Sequence, residues 1–397
     1  MAELLTIDAA LACVLEHARP LPAEEVPVAD AGGRVLREHA VARVDLPPFP
    51  SSAMDGFAIR ASDAPGELPV AFRVAAGAPG PTRLPEGAAA GISTGGVVPA
   101  DADAVVPVEV VEDRGSTIVV ADPVAAGQHV RPRGGDVQTG AVVAPAGTRL
   151  TASRIGALAA AGIPRVVCSA RPRVTVLATG SELTPPGEPL EAGQIYESNR
   201  AMVAAVLARA GAHVDVLPVV EDDPEAHRDA ISRALEADVV VTSGGVSMGE
   251  HDLVRRTEAE LGVEELFWGV AIKPGKPLSF GVRGDTMVFG LPGNPVSSLV
   301  GAMVFVTPAL LARQGAGDAR PRFAVGRTSA PLRRNAHRDE FVRAVRTEAA
   351  DAIELAPIRG QESHMIASAS AADALVHVPR GEGEIDAGMP VRYLPLD

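Results

Sequence analysis

Three turns within sixty residues, between Val239 and Ser298, constrain this chain more than any other feature. The stretch reads VVVTSGGVSMGEHDL, then FWGVAIKPGKPLSF, then MVFGLPGNPVSSLV. Each piece sets an apolar, strand-like run beside a turn built from Gly, Pro, Ser, Asn or a charged residue. In α/β proteins, ligand sites form where strand ends feed loops that open helices. The spacing predicts three loops converging on one pocket.

The flanking sequence divides by texture. From Pro172, strand-like runs (Val174 to Ala178, His213 to Val220, Asp238 to Thr242) alternate with helical ones (Asn199 to Ala210, the helix opened by Asp223 and Pro224, Glu250 to Leu261, Pro295 to Arg313). That alternation calls for a mostly parallel sheet with helices on both faces, a three-layer α/β domain. Residues 44–140 read instead as short strands and frequent turns, with a hairpin around Asp113 to Ser116, and form a small inserted β domain. The segments 1–43 and 141–171 flank it as one discontinuous linking domain. In it Thr6 caps a helix bearing Ile7, Leu11, Val14 and Leu15, and Thr151 to Gly162 is a second helix expected to pack on the first. With the α/β domain at 172–315, the remainder, 316–397, is all β, between a sandwich and a barrel. The fold class is multidomain, α/β plus β.

Composition excludes some partners. With 36 basic and 50 acidic residues the formal charge is −14, a poor match for a sequence-independent binder of nucleic acid. The two cysteines, Cys13 and Cys168, are far apart and give neither a disulfide scaffold nor a cysteine-rich metal site. Glu3, Asp8 and Glu16 argue against a secretory signal, and no run of about 18 uninterrupted apolar residues suggests a membrane span. A cytoplasmic protein is expected.

The motifs favour an anion. In SGGVSMGEHD a strand gives way to a helix, and backbone N–H groups at such a junction bind anions. The glycines at 244, 245 and 249 do not make the dinucleotide fingerprint, but Ser247, Glu250 and Asp252 add polar groups at the same tip. KPGKP is no P-loop, since Pro277 stands where a magnesium-binding Ser or Thr is needed. Its Lys273 and Lys276 still make a compact positive site suited to phosphate-like oxyanions. LPGNPVSS presents Gly293 and Asn294 between two prolines, although a stiff start to the helix explains it nearly as well. The carboxylates Asp55, Asp136, Glu182, Asp222 and Asp252 all sit at turn tips, where an ordinary capping role is the plain alternative. Gathered in one cleft, they could hold Mg²⁺. The residues alone support an enzyme or binder for an oxyanion-bearing small molecule.

SAMDGFA, TGSELTPPG, GQIYESNR, SGGVSMGEHD, AIKPGKP and GLPGNPVS occur in this order and spacing. Together they resemble the molybdopterin molybdenumtransferase family, which includes bacterial MoeA and the E domain of gephyrin. The resemblance covers essentially the whole chain. It implies a molybdopterin-binding-like α/β domain and insertion of molybdate into adenylylated molybdopterin, with loss of AMP and aid from Mg²⁺. It also implies an elongated homodimer, in which the β insertion of one subunit faces the α/β domain of the other. Other cofactor-biosynthesis proteins and apo-molybdoenzymes are the implied hand-over partners.

Carried over by position, Asp55, Thr94 and Asp136 would line the cleft from the inserted domain. Glu182, Asp222 and Asp252 would position Mg²⁺ or the adenylate. Gly180, Ser181, Gly244, Gly245 and Ser247 would bind substrate, as would Lys273, Lys276 and the loop Pro292, Gly293, Asn294, Pro295 and Ser297. Arg338 and Ser363 resemble a molybdate-facing pair. Three residues depart from the pattern: Gly269 where many relatives carry Lys, Phe57 for Tyr, and Glu197 for Asp. A non-catalytic pterin carrier or scaffold, a related adenylylating enzyme and a preference for tungstate stay open as alternatives.

Overall fold

The computed structural model describes residues 4–78, 82–245, 253–349 and 352–396. Its centre is a six-stranded sheet in the order His213–Val216, Arg173–Ala178, Val239–Ser243, Thr286–Leu291, Ser279–Arg283, Glu264–Trp268. The first four strands are parallel; Val174 lies opposite both Val214 and Val239, and Val239 opposite Met287. The last two are antiparallel additions at one edge. Because side chains alternate across a strand, the same runs feed two cores. Val174, Val176, Val239, Val241 and Phe289 face helix Asn199–Arg209 and the apolar helical run 295–313. Leu177, Val240 and Val288 face helices Pro224–Ala234 and Leu253–Glu260. Val239–Ser243 is buried throughout, as a strand covered on both faces must be.

Local chemistry starts helix Pro224–Ala234 where the sequence predicts. Asp223 accepts from the backbone N–H groups of Glu225 (3.0 Å) and Ala226 (2.8 Å), with Pro224 at the first helical position. The closing helical run Pro295–Gly301, Ala302–Val306 and Thr307–Arg313 contains one π-helical turn. Pro308 can donate no hydrogen bond to the preceding turn, and the wider turn before it lets the helix continue. This run is long and apolar enough to cross a membrane, yet most of it is buried inside the fold, with Val300, Phe305 and Leu310 in the core.

The N-terminal helix Ile7–His17 is capped by Thr6, whose hydroxyl accepts from Ala9 N–H at 3.1 Å. Its partner differs from expectation. Leu11 and Val14 pack into the α/β core beside Val304 and Phe305. Helix Ala152–Ala160 puts Leu158 into a separate core with Val26, Leu36 and Val166. Strand pairing decides this: Ala23–Pro27 runs antiparallel to Arg165–Ser169, and Ala40–Val41 to Val142–Ala144. The second segment is thereby stitched to residues 23–41, leaving the first helix to cover the α/β domain.

Between those segments lies a six-stranded sheet in the order Ala104–Pro107, Gly56–Ile59, Ala89–Ile92, Gly66–Val74, Thr117–Val120, Val111–Asp113. The hairpin at Asp113 to Ser116 forms as expected. At the C-terminus, Asp339–Glu348 pairs with Ile353–Pro357 on one side and Ala374–Val378 on the other. Ala324–Thr328 and Pro390–Pro395 complete the circuit, closing a five-stranded barrel. A short sixth strand, Ile272–Lys273, joins it in parallel, with Lys273 opposite Glu340.

His377 links this barrel to pH. Its ring packs on Phe323 and Phe341 at centroid distances of 5.6 and 5.4 Å, with Nε2 3.5 Å from Asp339 Oδ1. Burial pushes the imidazole pKa down and Arg392 adds to this; Asp339 and Asp8 pull the other way without cancelling it. A histidine with a depressed native pKa binds fewer protons folded than unfolded. Its stabilising contribution is therefore complete above the unfolded value near 6.5 and is lost as pH falls. We expect Tm to drop between pH 7 and 5, and to drop less steeply in His377→Gln. Parallel profiles would place the acid sensitivity elsewhere.

Candidate functional site

Three of the parallel strands end side by side, and their loops are tied at the sheet's carboxyl edge. Gly180 N–H donates to Val220 O (3.2 Å) and Gly244 N–H to Leu291 O (3.1 Å). The tight turns need glycine: Gly180 and Gly244 have φ of +146° and +94°, and a Cβ on Gly244 would lie 2.9 Å from Thr179 O. Gly293 abuts Gly244 closely enough that an added Cβ would touch its Cα at 3.8 Å. Asn199 locks the arrangement from beneath. Its buried amide donates to Ser243 Oγ at 2.9 Å and to Gly293 O at 2.7 Å, and Ser298 Oγ bonds Pro292 O. Within GQIYESNR, Asn199 was legible only as a helix start.

The KPGKP loop leaves the α/β domain through strand Ile272–Lys273 and faces the barrel. Between them lies a cleft of ≈ 570 Å³. Lys273, Lys276, Pro292, Asn294 and Ser297 line it from the α/β side, and Arg338, Glu340, Gln361, Glu362, Ser363 and His364 from the barrel side. The structure thus brings both lysines, the proline-bounded loop, Arg338 and Ser363 to one place. Lys273 Nζ lies 2.9 Å from Glu340 Oε1. Among the described residues no ion pair engages Lys276 or Arg338, which leaves two cations facing the cleft. Glu340, Gln361, Glu362 and His364 escaped the sequence reading; only their neighbours carried motif signals. Pro295 begins the helix behind this wall. Gly269 does not line the cleft: it forms a left-handed turn (φ +89°) where an added Cβ would meet Leu4 at 2.7 Å.

Other predicted residues stand apart. Asp55 accepts from Thr94 N–H (2.6 Å) and Thr94 Oγ (3.1 Å), and borders a second cleft of ≈ 360 Å³ with Phe57, Arg73 and Asp113. The two clefts share no lining residue. Asp136 lies on neither: its N–H donates to Leu46 O at 2.9 Å, beside the proline-rich approach. Asp222 Oδ2 accepts from Ser181 N–H (3.1 Å) and Oγ (3.0 Å), which leaves Oδ1 for another partner. The neighbouring Glu182 carboxylate curls over Gly180, where a Cβ would come within 2.4 Å of it. Among the described residues no group of three or more His, Cys, Asp or Glu is placed to hold a metal ion. Ser247 and Asp252, the third predicted metal ligand, lie outside the described residues.

Fold and cleft define a multidomain α/β protein whose parallel-sheet loops and C-terminal barrel enclose a cationic ligand cleft. Comparison with known proteins is specific. Residues 5–162 match the MoeA N-terminal region (domain I and II), 175–312 a probable molybdopterin binding domain, and 325–396 the MoeA C-terminal region (domain IV). The chain is 37% identical over 389 residues to molybdopterin molybdenumtransferase 2 of Mycobacterium tuberculosis, covering 94% of each. It is 34% identical to the molybdopterin molybdenumtransferase of Haemophilus influenzae, covering 99% of each. A molybdopterin biosynthesis MoeA protein of Pyrococcus horikoshii superposes with a TM-score of 0.83 at 30% identity, over 99% of this chain and 100% of that one. This chain belongs to the molybdopterin molybdenumtransferase family.

Asn199 provides a test of the loop geometry. Asn199→Ala removes the donor from Ser243 Oγ and Gly293 O in a buried setting and should cost about 1–3 kcal/mol in denaturant unfolding. An unchanged midpoint would mean that the 292–294 loop is held by other contacts.

Proposed function

We propose that this protein inserts molybdate into adenylylated molybdopterin with release of AMP, a Mg²⁺-assisted step completing the molybdenum cofactor. The observation that carries this reading is the cleft, where Lys276 and Arg338, which form no ion pair among the described residues, stand beside Lys273, Ser297 and Ser363. A tetrahedral dianion suits such a set of fixed donors, and lysine and arginine supply charge-assisted hydrogen bonds to oxyanions. The substrate's thiol protons leave with one oxide of molybdate as water while two Mo–S bonds form, and a water molecule adds to the phosphoanhydride as it breaks, giving AMP, the molybdopterin phosphate and a proton. The protein's part is orientation and electrostatic stabilisation, with no covalent intermediate required. Lys276 and Arg338 hold the oxyanion, and the 292–297 loop fixes its distance from the pterin sulfurs.

The carboxylates of Glu182 and Asp222 flank Ser181, are exposed, and offer hard oxygen donors of the kind Mg²⁺ takes. They would hold Mg²⁺, with Asp252 as a further ligand, and the cation would neutralise charge on the adenylate phosphate. Ser181 keeps Asp222 in place for that role.

Asp55, Thr94 and Asp136 belong to the inserted domain and would complete the site only from a second subunit. Around Asp55 the surface is unusually apolar: Met54 is 37% exposed, Val108 44% and Val110 63%. These residues favour a homodimer contact. Cytoplasmic location and hand-over of the product to apo-molybdoenzymes follow from the same reading.

The direct test is AMP release from adenylylated molybdopterin with Mg²⁺, with and without molybdate. Molybdate-stimulated release is expected. In Lys276→Ala the molybdate needed for half-maximal release should rise roughly 10–100-fold, the worth of a hydrogen bond to a charged group. Release that ignores molybdate, or an unaltered Lys276→Ala, contradicts the assignment; bound pterin without turnover points to a carrier.

A further inference from the structure

Arg343 heads the fully buried side chains, 1% exposed. Among the described residues no carboxylate forms an ion pair with it. A buried guanidinium without a carboxylate ion-pair partner is costly, and Arg343 lies on the face of its strand opposite Val342 and Ala344, which fill the barrel core. Here the donors are directed at one irregular segment. Arg343 Nη1 donates to Met365 O and Nη2 to Glu362 O, both at 3.1 Å. Its backbone N–H donates to Gln361 Oε1 at 3.0 Å, and Nε reaches the same oxygen at 3.4 Å. Gln361 returns the contact, donating Nε2–H to Arg343 O (2.9 Å) and Ile358 O (3.0 Å).

The clasped residues are not arbitrary. Glu362, Ser363 and His364 line the cationic cleft opposite Lys273 and Lys276. They belong to no strand or helix, so their carbonyls need donors from elsewhere. The other side of the segment is tied to the α/β domain: Ser363 O accepts from Val296 N–H (3.1 Å) in the first turn of helix Pro295–Gly301. Arg343 lies on strand Asp339–Glu348, whose first residues adjoin Arg338 and pair with Lys273. One strand therefore follows directly on a cation facing the cleft and carries a second cation that sets the opposite rim.

We infer that Arg343, acting with Gln361, is a positioning residue that fixes Ser363 and His364 against the two lysines and so sets affinity for the tetrahedral oxyanion. This rests on the reading that the cleft takes molybdate. Arg343 touches no substrate; it acts through the segment it clasps. Lysine at 343 keeps the charge and the backbone N–H bond to Gln361 Oε1, but not the planar fork that reaches Glu362 O and Met365 O together.

The test uses the full-length protein with Arg343→Lys, Arg343→Met and Gln361→Met, each first shown to melt cooperatively. AMP release is titrated with molybdate at saturating adenylylated molybdopterin, then with the pterin at saturating molybdate. The half-saturating molybdate concentration should rise on the order of 10–100-fold, more for Met than for Lys at 343, while the pterin KM stays at the wild-type value. Constants that move together, or a molybdate constant that does not move, overturn the inference. If the Arg343 variants do not fold, Gln361→Met decides by the same split. A wild-type protein indifferent to molybdate instead removes the functional reading on which the inference stands.

Discussion

The architecture depends on a short parallel pairing, Ile272 with Asp339 and Lys273 with Glu340, sealed by Asp339 N–H donating to Ala271 O at 2.9 Å. Through it the α/β domain lends a strand to the barrel's rim. A domain boundary made this way is a continuation of sheet hydrogen bonding, stiffer than a linker between two closed units. It forces KPGKP to emerge at the seam, with Arg338 directly beside it. Everything else in the cleft follows from that. The LPGNP loop arrives from the neighbouring strand end, and residues 361–364 arrive from the barrel.

Charge sets the seam apart from the rest of the molecule. The protein as a whole carries −14, so its overall field does not favour an anion. Binding must come from a few cations held close together and left free of their usual partners. Lys273 is partly neutralised by Glu340, whereas among the described residues Lys276 and Arg338 form no ion pair. Lys273 and Glu340 hold each other at the seam, and we propose that the other two cations take the ligand. Buried Arg343 is a third kind of cation, one whose charge is used to order backbone.

The sequence made the local elements legible where local chemistry decides them. Thr6, Asp223 and Pro224 announce their helices, and the alternation after Pro172 announces a parallel sheet. Two of the three expected loops, KPGKP and LPGNP, were legible as cleft-lining because glycine and proline mark strand ends, whereas most of SGGVSMGEHD lies outside the described residues. Non-local pairing was not. Nothing in TASRIGALAA says that its helix packs with Val26 and Leu36, since strand pairings far away in sequence settle that. The antiparallel strand Glu264–Trp268 was visible only in its last residues, as part of the strand-like run of FWGVAIKPGKPLSF. Arg343 reads as one arginine among many in an arginine-dense stretch, and only burial reveals its task. The separation of Asp55 from the lysines was likewise invisible, because motifs give an order along the chain and no positions in space.

We place the oxyanion at the seam between α/β domain and barrel. Anomalous diffraction at the molybdenum absorption edge, from crystals of the protein soaked in molybdate, would locate it. A peak bounded by Lys273, Lys276, Arg338 and Ser363 is expected. A peak in the Asp55 cleft, with none at the seam, would contradict it.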